Sequence, residues 1–505
     1  MINKYSNGIA KCPGASMIVL MLCATPSLSQ VAIEGIREDP VRLVSGQFDN
    51  DATEFQIVYV GSIESPGAST LRIHFSDYHL GSSSYVTLTS VADGDVQRFT
   101  AKSLPEWYNW SAFFRGGAVD VELHVAPGET GVHVQIDRMR TPGLLAADKG
   151  SVATICGPND DRAASNDPRV GRMVTPILGP PVTFIATCTA WLVSNGAVLS
   201  AGHCGVAAGD LVEFGVPASS PNGNTNPAAV ANQYPINVAS VVREDNGVGQ
   251  DWLIFGLNAN STTLRTAHNV QGFFRMAKEI PAFATPLRVT GYGLDNSPSG
   301  TGTSVCMGGT NNNGICISNL NCPGGGVCTA AACCDPDGTG PMGCGNDCNS
   351  ASQTQQTITG LLGGANANLI THSVDTMGGN SGSPIIWEAN GLTIGIHTAG
   401  GCTASSGLNN GTRFSRAVLE AAIRDFAGPN PVYVDASNYD FPSNGGVFEP
   451  FHNISQAIGA VMDGGTISLV PGFYSRQDDG NTFTAGADGK AMIFVSPAGS
   501  TFIGS

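Results

Sequence analysis

Gly379-Asn380-Ser381-Gly382-Ser383-Pro384 sets one serine between glycines, directly behind Gly378. A serine hydroxyl is a weak nucleophile at neutral pH. It needs an imidazole to take its proton and a carboxylate to hold that imidazole's tautomer. Two upstream stretches offer those partners: Ser200-Ala201-Gly202-His203-Cys204 and Asp251-Trp252-Leu253-Ile254-Phe255. The tetrahedral intermediate of acyl transfer also needs N–H donors aimed at its oxyanion. Gly379 and Ser381 are placed to supply them, and Gly378, Gly379 and Gly382 permit the tight turn this requires.

The same residues satisfy G-x-S-x-G, the nucleophile elbow of α/β-hydrolases, so the motif alone is a weak signal. The order of partners decides, because that fold needs its acid and histidine after the serine. Downstream lie only His397, close to the serine, and His452, in a stretch of different character. His203 comes before the serine and follows Trp191 to Ser200, which reads as two strands joined by Asn195-Gly196. Asp251 opens an apolar run 48 residues after His203. Its rival Asp245 sits in a Glu-Asp-Asn-Gly turn, which leaves Asp251 to orient the imidazole.

This His-Asp-Ser order, with its flanks, resembles the chymotrypsin-like serine peptidases, above all the secreted bacterial glutamyl-endopeptidase (V8-like) and trypsin-like branch. The resemblance covers residues 155–428 and implies a mostly β fold of two six-stranded barrels, with catalytic residues drawn from both. It implies His203, Asp251 and Ser381 as the catalytic triad and Gly379 with Ser381 as the oxyanion hole. It implies a disulfide Cys188–Cys204 closing the histidine loop. By analogy with lysyl-endopeptidase relatives, it also implies a second between Cys156 and Cys402 beside the pocket. One departure stands out: Asn380 precedes the nucleophile where animal trypsins keep an aspartate, and an asparagine cannot form the ion pair with a new amino terminus that activates those zymogens.

The same resemblance assigns substrate binding to Asp375, Thr376 and His397. Asp375 lies six residues before Ser381, where trypsin-like enzymes keep the carboxylate that pairs with Lys or Arg. Thr376 and His397 match positions where glutamyl endopeptidases bind a carboxylate. The two patterns oppose each other. Asp375 either faces the pocket, or turns to a backbone donor, or pairs with His372 or His397. Two positions against one tilt the expectation toward Glu at P1, with cleavage after Lys/Arg the alternative. A non-catalytic binding or adhesive protein on a peptidase scaffold is the competing class, against which the intact His203, Asp251 and Ser381 weigh.

Lys4 and Lys11 precede an apolar stretch from Met17 to Ala24, and Ser27 and Ser29 fit the small positions before a signal-peptide cut at Gln30. That run is too short to span a membrane. Residues 1–29 therefore read as an export signal and the protein as secreted. The formal net charge of −16 argues against nucleic acid as partner. Charged residues make up only 13% of the chain, while Gly is abundant, as suits a β-rich secreted protein. Of fourteen cysteines, twelve follow Gln30, an even number consistent with disulfides outside the cytoplasm.

At 505 residues there is room for about three domains. Residues 30–145 alternate apolar and polar residues at 55–59, 71–75, 119–125 and 132–136, as in an antiparallel β-sandwich serving as propeptide or accessory domain. Trp107, Trp110, Phe113 and Phe114 are assigned to its core. Residues 296–352 form an inserted segment with eight cysteines, Cys306, Cys316, Cys322, Cys328, Cys333, Cys334, Cys344 and Cys348, and little apolar periodicity, so that disulfides must hold it. Asp335, Asp337 and Asp347 there are candidate calcium ligands, although acidic turn residues without metal are the commoner case; triad chemistry requires no cofactor. Arg413 to Phe426 has the apolar spacing of an amphipathic helix. Residues 431–505 resemble the opening coils of a right-handed parallel β-helix of the pectin-lyase-like kind. The flanking domains are candidates for glycan or cell-surface attachment, alongside protein or peptide substrates for the central region.

Overall fold

The computed structural model describes residues 28–29, 32–142, 154–157, 160–177, 183–220, 225–294, 305–307, 327–329, 351–403, 405–438, 443–475 and 489–504. The expected export signal up to residue 27, six of the eight insertion cysteines, and Asp335, Asp337 and Asp347 lie outside the described residues.

Before the barrels come β1 (Leu28–Ser29), β2 (Ala32–Val44), β3 (Gln56–Glu64), β4 (Thr70–His79), β5 (Tyr85–Ser90), β6 (Val96–Thr100), β7 (Phe114–Arg115), β8 (Ala118–Val125) and β9 (His133–Pro142). One sheet runs β3-β8-β5-β6 and the other β7-β4-β9-β2, both antiparallel. Alternation buries Val119, Val121, Leu123 and Val125 of β8 against Leu71, Ile73 and Phe75 of β4. Trp107, Phe113 and Phe114 fill this core, while Trp110 lies under the guanidinium of Arg140, 3.9 Å from the ring centre.

After β10 (Ala163–Ala164), the first barrel uses β11 (Val170–Ile177), β12 (Thr183–Leu192), β13 (Val198–Ser200), β14 (Leu211–Glu213), β15 (Gln233–Asp245) and β16 (Asp251–Leu257). Its order β11-β14-β15-β16-β13-β12 closes through pairing of β12 with β11. The second uses β17 (Pro286–Gly291), β20 (Gln356–Ala365), β21 (Leu369–His372), β22 (Pro384–Trp387), β23 (Thr393–Gly400) and β24 (Asn409–Arg413). Its order β23-β22-β17-β20-β21-β24 closes through β24 on β23. Both barrels are thus closed and six-stranded, the mostly β double barrel that the sequence implies. Within the insertion, β18 (Val305–Met307) and β19 (Val327–Thr329) pair with Cys306 opposite Cys328.

The sandwich is not a separate bead. Residues Ala32–Ile36 of β2 pair with Thr183–Thr187 of β12. The reason lies in strand length: β13 covers only Trp191 and Leu192 of that edge, and an uncovered edge is a template for another strand. The helix Ala417–Asp425 buries Leu419 and Ile423 as its spacing requires, with Val418 left 51% exposed. In the last segment β25 (Val432–Val434), β26 (Gly465–Leu469) and β28 (Met492–Val495) stack in parallel, as do β27 (Gly472–Ser475) and β29 (Thr501–Gly504).

Candidate active site

The hairpin β12–β13 turns at Asn195-Gly196, where Gly196 takes φ +84°, and delivers His203 in the short 3₁₀ turn Gly202–Cys204 that follows. Asp251 starts β16 in the same barrel. Ser381 lies in the loop ahead of β22 in the other barrel. The three meet in the cleft between them. His203 Nε2 is 2.8 Å from Ser381 Oγ, and His203 Nδ1 is 2.6 Å from Asp251 Oδ2. The other oxygen of Asp251 accepts the backbone N–H of His203 at 3.0 Å, so one carboxylate fixes both ring and main chain. This places the neutral ring's proton on Nδ1 and its lone pair toward the serine.

The serine turn is held from several sides. Asn380 N–H donates to Met377 O, Ser383 N–H to Asn380 O, and Gly382 N–H to His397 O at 2.7 Å. The first barrel grips it through Thr189 N–H to Ser381 O at 2.8 Å and Trp191 Nε1–H to Gly382 O at 3.0 Å. Gly379 has φ +98°, and a Cβ there would stand 2.2 Å from Tyr292 O. Gly382 has φ +91°, and its Cβ would meet Thr189 O at 2.1 Å. Glycine is required at both.

Both expected disulfides are formed, Cys188–Cys204 and Cys156–Cys402. Cys188, Cys204 and His203 lie within 4.8 Å of one another, but the joined sulfurs offer no thiolate to a metal.

Of the open alternatives for Asp375, the structure takes the backbone one. Its carboxylate accepts Cys156 N–H at 2.7 Å and Asp161 N–H at 3.4 Å, and burial raises its pKa. His372 pairs with His397 instead: His372 Nε2 is 3.2 Å from His397 Nδ1. Val374 N–H donates to His372 Nδ1. A neutral His372 therefore carries its proton on Nε2 and gives it to His397 Nδ1, which leaves the His397 proton on Nε2. Burial keeps both rings neutral, pushing His372 down to about 3 and His397 well below its ordinary value. Thr376 is buried beside them.

Three residues that sequence reasoning missed converge here. Thr412 Oγ1 donates to Asp251 O at 2.6 Å and accepts Asp251 N–H at 3.3 Å, tying the second barrel to the triad. Thr154 pairs with Thr376 across 222 positions of sequence. Asn409 bonds to the walls on both sides of Thr376 and His397. A lone Thr or Asn at such a distance carries no local signal.

No protein-family model matches the chain, and no curated protein matches it. Among solved structures, a Glu endopeptidase bound to MPD is similar over 53% of this chain and 97% of its own, at 15% identity and TM-score 0.32. The protease Anisep from Arthrobacter nicotinovorans matches over 53% and 98%, at 13% identity and TM-score 0.33. HBP matches over 52% and 94%, at 11% identity and TM-score 0.32. At that similarity the double barrel rests on this chain's own strand pairing.

Proposed function

We propose that the chain is a serine endopeptidase acting outside the cytoplasm. The observation that carries this is the hydrogen-bonded line Ser381–His203–Asp251, assembled from two barrels. In this reading His203 Nε2 takes the Ser381 proton as Oγ attacks the scissile carbonyl. Gly379 and Ser381 N–H groups meet the oxyanion, and the imidazolium, held by Asp251, then protonates the leaving amine. Water attacks the acyl-enzyme with His203 again as base. No cofactor enters any step, and a calcium ion at Asp335, Asp337 or Asp347 would be structural.

Glu is the proposed P1 residue. Each oxygen of Asp375 already accepts a backbone N–H, at 2.7 and 3.4 Å, so the carboxylate is partly satisfied before a basic P1 side chain could reach it. Thr376 brings an O–H donor instead, backed by the neutral ring of His397, whose own N–H is given to the Asn410 backbone. Two disulfides support an oxidising location, and among the described residues no helix is long and apolar enough to cross a membrane.

The test is cleavage of a mixed peptide library by the wild-type chain and by Ser381→Ala. Serine-dependent cutting after Glu is expected. Cutting after Lys or Arg would return the pocket to Asp375, and identical behaviour of the two proteins would remove the catalytic reading in favour of a binding protein.

A further inference from the structure

We propose that Asn409 is the positioning residue that makes this pocket select a carboxylate at P1. The inference rests on the peptidase reading above and deepens it. Asn409 begins β24, is wholly buried, and stands in register opposite His372. Its Oδ1 accepts Gly401 N–H at 2.9 Å and Cys402 N–H at 3.0 Å. Its Nδ2 lies 2.8 Å from Val374 O, 2.9 Å from Thr154 O and 3.0 Å from Thr376 Oγ1. The reverse orientation of the amide would set donors against donors and acceptors against acceptors, so the network fixes it. One side chain thereby clamps three segments: 374–376 before the nucleophile, 400–402 after His397, and Thr154.

The clamp also settles which way protons run. Thr154 Oγ1 donates its proton to Thr376 O at 2.7 Å, an atom that can only accept. The line of 3.0 Å between the two hydroxyls can then be filled only by the Thr376 proton. Asn409 Nδ2, whose two protons are shared among Val374 O, Thr154 O and Thr376 Oγ1, cannot accept that proton. Thr376 is left as the donor toward whatever else comes near. A P1 group competes with the neutral Thr154 hydroxyl for that one proton. A carboxylate wins, because a hydrogen bond to an ionised acceptor is roughly twice as strong as one between neutral groups. An ammonium or guanidinium brings only donors.

Asn409→Asp puts an oxygen where Nδ2 stood, so the Thr376 proton is drawn back to residue 409 and lost to the ligand. The measurement is kcat/KM for peptides differing only in P1 Glu, Gln or Leu, with Tm and the labelling rate of Ser381 by a small fluorophosphonate lacking a P1 side chain. The expected result is a drop of at least about tenfold in the Glu:Leu ratio, the worth of one hydrogen bond to a charged group. The drop should appear in KM, while labelling holds. Thr154→Val removes the competitor for the Thr376 proton and is expected to keep or raise the ratio. An unchanged ratio in Asn409→Asp overturns the proposal, as does a fall in Thr154→Val or a wild-type preference for Lys, Arg or Leu. If Asn409→Asp does not fold, the Thr154 variant and the wild-type P1 preference still decide. Cutting by Ser381→Ala would instead strike the peptidase reading itself.

Discussion

Asp251 is held at both its side chain and its backbone. Its carboxylate takes two hydrogen bonds from His203 and its backbone exchanges two with Thr412. Other side chains are constrained by burial instead. His268 is buried with its Nε2 on Ala197 O, and burial pushes its pKa down to about 4. In the unfolded chain a histidine titrates near 6.5, about 2.5 units higher. Below that pH the unfolded state binds a proton that the folded state refuses, so the contribution of His268 is complete above pH ~6.5 and fades as pH falls toward ~4. His372 and His397 act in the same direction. Asp210, raised to about 7 by burial, acts in the opposite one, losing stability as pH rises through its folded value. His268→Gln keeps a donor for Ala197 O and is expected to flatten the acid limb. Its stability relative to wild type should improve by up to about 3 kcal/mol between pH 7 and pH 4. Chemical denaturation across that range checks this, and parallel curves for the two proteins would refute it. At this scale sequence is informative where chemistry forces a local pattern: Ser381 among glycines, His203 after a hairpin, Asp251 at a strand start. It is silent on Thr154, Asn409 and Thr412, whose partners come from other strands. It also left Asp375 undecided, because its direction depends on Cys156 and Asp161, more than 200 positions away.

Among the elements, β23 has the most consequential edge. From Thr393 to Ile396 that edge pairs with β22, and past it Ala399 and Gly400 pair antiparallel with Ser29 and Leu28 of β1. The same strand exchanges backbone bonds with the serine turn, His397 N–H to Ser383 O and Gly382 N–H to His397 O. An extended peptide laid on Ala399–Gly400 by strand addition would lie on the strand that is bonded to the serine turn, as the proposed reading asks of a substrate. The chain's own residues 28–29 hold that place, and they end where sequence expects the export signal to be cut. A chain starting at Gln30 is expected to show a lower KM for peptides than the full chain, with kcat little changed, because an intramolecular strand competes at high effective concentration. Equal KM values for the two chains would show that β1 leaves the edge accessible. Strand identities were legible here because alternation and turn residues are local signals: the alternating runs at 71–75 and 119–125 and the helix after Arg413 fall where expected. The pairing of β1 and β2 with barrel strands was not legible, since nothing in Ala32–Ile36 names Thr183–Thr187 as its partner.

For the whole molecule, the question is whether residues 30–145 are a detachable propeptide or part of the double-barrel body, and the junction argues for the second. Val174, Leu211 and Val230 of the first barrel belong to the same apolar core as Leu71, Phe75 and Trp107. Arg72 is wholly buried between Trp110 and Phe113 and donates to Ser111 O at 2.6 Å and to Gly209 O at 2.8 Å, across the junction. Gln233 of β15 accepts Phe113 N–H and donates to Phe113 O, and Gln97 reaches Ser261. Separation would expose apolar surface, strip partners from buried polar groups, and bare the β12 edge that β2 covers. The contacts, not the peptide link, hold the parts together. A specific protease site placed between Pro142 and Thr154 should therefore give, once cut, two pieces that co-elute and keep the Tm of the intact chain within a few degrees. Expression from Thr154 onward, without the first module, should give aggregated protein instead. A soluble, cooperatively melting product from that second chain would mean that the barrels close on their own and that the amino-terminal module can be shed.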